Sequence, residues 1–132
     1  MNAQTYLQAA KTCELHIHLG GSLFTEDLLD LVRDHYQQID WSFFVDNFAK
    51  AYGIRPDPIA LFAEAINSPS LEKLKAHYVY GAEDGGSFER FQAKFNMAIC
   101  VYRHWWAQHG GQEEIWRRII ARHKKEGLRY IE

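Results

Sequence analysis

The sequence predicts an α/β chain, predominantly helical, in which two short strands enclose a long helical stretch. Two observations carry this reading. Between about residues 25 and 126, apolar side chains recur three and four apart and are divided by Ser, Asp, Pro and Gly, as in amphipathic helices with marked ends. Only "CELHIHL", within a first strand over about 12–19, and "LRYIE", over 128–132, read as strands. Two strands separated in this way form an enlarged strand–helix–strand unit, and a parallel sheet built on it needs neighbours on both sides.

The helical elements follow in order. Thr25 is placed to cap "EDLLDLVRDHY", whose early acids suit the positive end of the helix dipole. Leu28, Leu29, Leu31, Val32 and Tyr36 make its apolar stripe. Asp40 or Ser42 caps "WSFFVDNFAKAY", and Gly53 ends it. Asp57 followed by Pro58 reads as an N-cap and first helical residue, opening a helix to about Ile66. Ser70 starts "LEKLKAHYVY", and the loop "GAEDGG" closes it, with Glu83 and Asp84 expected to be solvated. Ser87 opens the longest helix, "FERFQAKFNMAICVYRHWWAQH", which Gly110 and Gly111 terminate. "QEEIWRRIIARHKKE" is the last helix, with basic residues toward its C-terminus, and Gly127 stops it before the second strand.

Composition narrows the function classes. With 47% apolar and 14% aromatic residues in 132, the chain has the material for a core and is no disordered segment. This is one domain's worth of chain, or part of a larger one. A formal charge of −2 offers no basic stripe for nucleic acid. No apolar run approaches the roughly 18–20 residues of a membrane span, and "MNAQTYLQAAKT" lacks the basic start and apolar centre of a secretory signal. Cys13 and Cys100 stand far apart in unlike contexts, which reads as reduced thiols in a cytoplasmic protein.

The chemistry concentrates in "ELHIHLGG". On a strand, Glu14, His16 and His18 share one face, while Cys13, Leu15, Ile17 and Leu19 share the other. An ionisable face is costly inside a sheet unless it serves a site. Two imidazoles two residues apart can reach one metal ion, and imidazole suits Zn²⁺, Fe²⁺, Co²⁺ or Ni²⁺. The same pair can also sit on a half-buried strand satisfied by hydrogen bonds, and the spacing leaves both readings open. Gly20 and Gly21 then permit close backbone approach to a ligand.

Three segments in order, "KTCELHIHLGGSLFTEDLLDL", "SFERFQAKF" and "ARHKKEGLRYIE", resemble motifs of the adenosine deaminase-like branch of the metal-dependent amidohydrolases. In that branch "K-x-E-L-H-x-H-L-x-G-[SA]" forms the first strand of a (β/α)₈ barrel. "T-L-x-x-F-L-x-K-F" is a helix near the active-site mouth, and "K-x-E-G-V-x-Y-x-E" leads into the second barrel strand. The resemblance implies that residues 1–132 are the N-terminal part of a single barrel domain, comprising strand 1, a helical insertion and the start of strand 2. It assigns His16 and His18 to one Zn²⁺ ion, and Phe88, Phe91 and Phe95 to the helix that gates the substrate pocket. From spacing alone, those three aromatics read more simply as helix core.

The implied reaction is hydrolytic deamination of an aminopurine nucleoside or related compound, by metal-activated water attacking the carbon that bears the amine. Two departures stand out. Gln92 replaces an expected aliphatic residue, and Gly20 occupies the position where adenosine-acting members carry Asp and adenine-specific relatives tend toward Glu. Without a carboxylate for the ribose hydroxyl, adenosine itself is in doubt as substrate, and a larger, differently substituted or phosphorylated nucleoside is expected. A third His, an Asp, a Glu acid and a further His come from later strands in the family, and a barrel needs roughly 200 residues or more. The isolated chain is therefore expected to be inactive, with no catalytic residue of its own. The alternative is a noncatalytic helical module that kept the family's N-terminal half and works by binding a partner or by self-associating, with exposed apolar edges favouring oligomerisation on either reading. His35, His77, His104, His109 and His123 fall on helices or their ends, where surface or core roles are expected, and "HWWAQH" reads as packing or an interface.

Overall fold

The computed structural model describes residues 12–14, 18 and 21–131, and these are mostly helical. Strand β1 (Thr12–Glu14) is followed by α1 (Thr25–Val32), α2 (Ser42–Tyr52), α3 (Pro58–Asn67) and α4 (Glu72–Tyr78). A 3₁₀ turn (Ala82–Asp84) then leads to α5 (Phe88–Gln108), α6 (Glu113–Lys125) and strand β2 (Leu128–Ile131). β1 and β2 pair in parallel, with Thr12 opposite Leu128, Cys13 opposite Tyr130 and a register shift between Thr12 and Cys13. The helical stretch is thus the crossover that parallel pairing requires.

Local chemistry accounts for three of the helix ends. Asp57 accepts from the Ala60 N–H at 3.1 Å, and Pro58 takes the first helical position of α3, where a missing N–H costs nothing. Ser87 caps α5 by accepting from the Arg90 N–H. Gly53 ends α2 at φ 70°, a left-handed conformation that glycine adopts without strain.

Two expectations shift. Thr25 is not a cap: it is the buried first residue of α1, Phe24 precedes it, and no side chain caps that end. α1 itself stops at Val32, and residues 33–38 form turns in which the His35 and Tyr36 N–H groups both donate to the Val32 carbonyl. Of the strand expected over 12–19, Thr12–Glu14 is strand and His18 is not, while 15–17 and 19 lie outside the described residues. The His18 carbonyl accepts from the Gly21 N–H at 3.0 Å and the Ser22 hydroxyl at 2.8 Å.

The core lies where α2 packs along α5, with α3, α4 and α1 stacked beside them. Phe44, Phe62, Met97, Val101 and Leu28 are wholly buried. α6 seats Ile115 and Ile119 in the same core and is fastened to α1 by ions. Arg122 grips Asp27 through two hydrogen bonds of 2.9 Å, its guanidinium also lies over the Phe24 ring, and Arg118 pairs with Asp30. A planar fork matched to a carboxylate is the strongest exposed-edge pairing available. Arg122→Ala is expected to cost roughly 1.5–3 kcal/mol in urea unfolding, with Arg122→Lys recovering only part because an ammonium cannot bind both oxygens in plane. A loss below half a unit on that scale would show the clasp to be ornamental. Among the described residues, no helix is long and apolar enough to cross a membrane.

Candidate functional site

His18, Gly21 and Ser22 face the N-terminal half of α5 across a cleft of about 500 Å³, lined also by Phe88, Phe91, Gln92 and Phe95. The three phenylalanines form a ladder along one side of α5. Phe88 and Phe91 have ring centroids 6.1 Å apart, and Phe91 and Phe95 stack at 5.9 Å. Tyr80 meets Phe91 edge-on at 5.7 Å. They are not core. Phe88 is 71% exposed and Phe91 43%, because the buried residues Ala93, Met97 and Val101 lie about half a turn away around the helix. Spacing marked one face for the phenylalanines, and the structure turns it outward.

A second cleft of about 680 Å³ shares Gly21, Ser22, Phe91 and Phe95 with the first, and adds Phe24, Tyr78, Tyr80, Lys94 and His123. Its wall is tied together by polar contacts. Tyr78 donates its hydroxyl to the Leu23 carbonyl, pinning α4 to the segment before α1. Burial, and then the charge of Asp27, push the Tyr78 phenol far above its ordinary range, so it stays a donor. The Nε2 atom of His123 is buried in this region with no hydrogen-bond partner among the described residues, and its ring meets Phe24 edge-on at 6.2 Å.

Beneath the clefts sits a buried pair, Asp84 with Lys94, whose acid the sequence assigns to a solvated loop. Asp84 is buried, not solvated. It accepts from Lys94 Nζ at 2.8 Å, from the Tyr52 hydroxyl at 2.6 Å and from the Gly81 N–H at 2.8 Å. Lys94, itself buried, also donates to the Val79 carbonyl at 2.9 Å. Burial alone would raise the Asp84 pKa, but the hydrogen bonds from Lys94, Tyr52 and Gly81 outweigh it and hold the carboxyl below its ordinary range. The signal was present: Lys94 has Met97, Ala98 and Val101 at +3, +4 and +7, and a cation on an apolar face requires a buried acid.

Of the residues singled out in the sequence, His18, Phe88, Phe91 and Phe95 come together in one cleft. His16 and Gly20 lie outside the described residues, as does the shared face of Glu14, His16 and His18. Gly21 borders both clefts, and a Cβ built there would meet nothing within 4 Å. His18 is exposed, and its imidazole has the donor chemistry that zinc takes. His35, His104 and His109, read from sequence as unrelated helix histidines, gather at the opposite end of α5. No protein-family model, no curated protein and no solved structure matches the chain.

Proposed function

We propose that the chain forms the first part of a zinc-dependent aminohydrolase of adenosine deaminase type, acting on an aminopurine nucleoside or a related compound. The observation that supports this best is convergence. The motif around His18 and the motif around Phe88, Phe91 and Phe95 lie about 70 residues apart, and both contribute to one cleft. The parallel pairing of β1 with β2 agrees with neighbouring strands of a (β/α)₈ barrel.

On this reading His16 and His18 hold the ion, which when bound would activate a water for attack at the amine-bearing carbon. The chain's own part is positioning. The phenylalanine ladder offers flat faces to a purine and keeps water from them. Gln92, on the same wall, brings both an amide donor and an acceptor for a ring edge. The further ligands and the proton donor would come from outside the 132 residues, so the chain alone binds without turning over. The test is ligand-observed NMR with a panel of aminopurine nucleosides on the zinc-loaded chain. Phe91→Ala is expected to weaken binding about tenfold, the scale of one lost stacking partner, and His18→Ala to release zinc held by the His16–His18 pair. A panel without binders, or binding indifferent to Phe91→Ala, would remove the reading.

A second reading, a noncatalytic self-associating module, is favoured by one surface. Trp116, Ile120 and Tyr130 are exposed together and line a shallow cleft of about 350 Å³ between α6 and β2. Concentration-dependent sedimentation abolished by Trp116→Glu, with no nucleoside binding in the panel, would select it.

A further inference from the structure

We infer that His35, His104 and His109 form a second metal site, for a borderline divalent cation such as Zn²⁺, distinct from anything at His18. One nitrogen from each ring lies within 4.8 Å of the others. The ring centroids are 5.9 Å apart for His35 and His104, 4.9 Å for His35 and His109, and 5.7 Å for His104 and His109. Metal–nitrogen bonds of about 2.0–2.1 Å put tetrahedral ligand atoms roughly 3.4 Å apart, so the rings need close by little more than an ångström. His109 is exposed and His35 half-buried, which leaves both free to make that adjustment.

Two further features point to a cation there. The Nε2 atom of His104 is buried and has no hydrogen-bond partner among the described residues, an orphan that usually calls for an ion or water. The cluster also caps the C-terminal end of α5, where the helix dipole favours positive charge. Trp105 walls the site from the core side, stacked on His109 at 4.7 Å and edge-on to His35 at 5.0 Å.

The site's geometry follows from the chain. The His109 N–H donates to the Trp105 carbonyl at the end of α5, and Gly110 at φ 73° then turns the backbone away. His35 is presented by the turns after α1, its N–H held by Val32 and its carbonyl by Gln38. A bound ion would therefore pin the α1–α2 connection to the end of α5. Three uncharged ligands leave a fourth position for water or a carboxylate. Phe91 and His104 are 13 positions apart on one helix, roughly 20 Å along its axis, so this ion and any ion at His18 bind independently.

The experiment uses the whole chain carrying His16→Ala and His18→Ala, so that failure of the proposed catalytic half-site cannot imitate failure here. Zn²⁺ alone is titrated against a chromophoric chelator, and melting is followed with zinc and with EDTA. A single ion per chain and a zinc-dependent rise in melting temperature are expected. His104→Gln and His109→Ala should each weaken binding by at least about 100-fold, more than loss of a supporting residue behind a ligand. Because His109 is exposed, its variant should melt like the parent in EDTA, which separates lost binding from lost folding. No zinc binding in the parent, or unchanged binding in a normally folded His109→Ala protein, would overturn the site.

Discussion

Lys94→Met is expected to destabilise the chain by roughly 3–5 kcal/mol, because it strands the Asp84 carboxylate in the interior. Both side chains are almost completely shielded, at 2% and 3% exposure, and their contact is 2.8 Å. Glu83 cannot take the place of Asp84: it lies 4.0 Å from the ammonium with most of its side chain in water. Removing the acid instead, in Asp84→Ala, frees the Tyr52 hydroxyl and the Gly81 N–H as well as the lysine, so a comparable loss is expected. The double change Lys94→Met with Asp84→Leu should recover part of the deficit, since two matched apolar groups leave no stranded charge. The recovery stays partial because the Gly81 N–H and Tyr52 keep no partner. Urea unfolding of the four proteins measures all three quantities. A Lys94→Met loss below about 1 kcal/mol would mean the pair contributes no more than a surface ion pair.

The same pair sets an acid limit. The Asp84 pKa is lower in the folded chain than unfolded, so its contribution is complete above the ordinary carboxylate range near about 4 and fades as pH falls through the folded value. Stability measured between neutral pH and acid should therefore decline in the parent and more weakly in the double variant.

Phe62→Ala should cost a similar amount, roughly 3–5 kcal/mol, by loss of burial and by the cavity left behind. Phe62 is completely buried and stacks on Trp41 at 5.1 Å and 24°, with Tyr36 tilted at 6.3 Å. The indole is fixed in turn, since Trp41 Nε1 donates to the Tyr36 carbonyl at 2.8 Å. One ring on α3 thus supports the connection between α1 and α2, and it does so at a point with no regular structure of its own. Phe62→Leu keeps much of the volume and should lose well under half as much. If the alanine and leucine variants melt together, the packing around Trp41 is looser than these contacts require.

What could be read from the sequence was mostly local. Asp57 and Pro58, Ser87, Gly53 and Gly127 mark helix ends by chemistry that acts within four residues, and the structure has ends there. Thr25 instead enters the helix as its first residue, and it is buried there. The meeting of His35 with His104 and His109 is a contact between different elements that no local pattern specifies, and for the Asp84–Lys94 pair the local pattern places the lysine on the apolar stripe without naming its acid. The cleft is the mixed case. Three-and-four spacing placed the phenylalanines on one face, but only the position of the apolar stripe at Ala93, Met97 and Val101 decides that this face looks outward.

Cys100 sits on α5 with 2% of its surface exposed, and burial holds its thiol protonated beyond the usual range. An alkylating reagent can react with it only during moments when α2 lifts from α5 and the thiol reaches water. With Cys13 replaced by serine, the labelling rate at this one sulfur becomes a clock for the opening of the main helix contact.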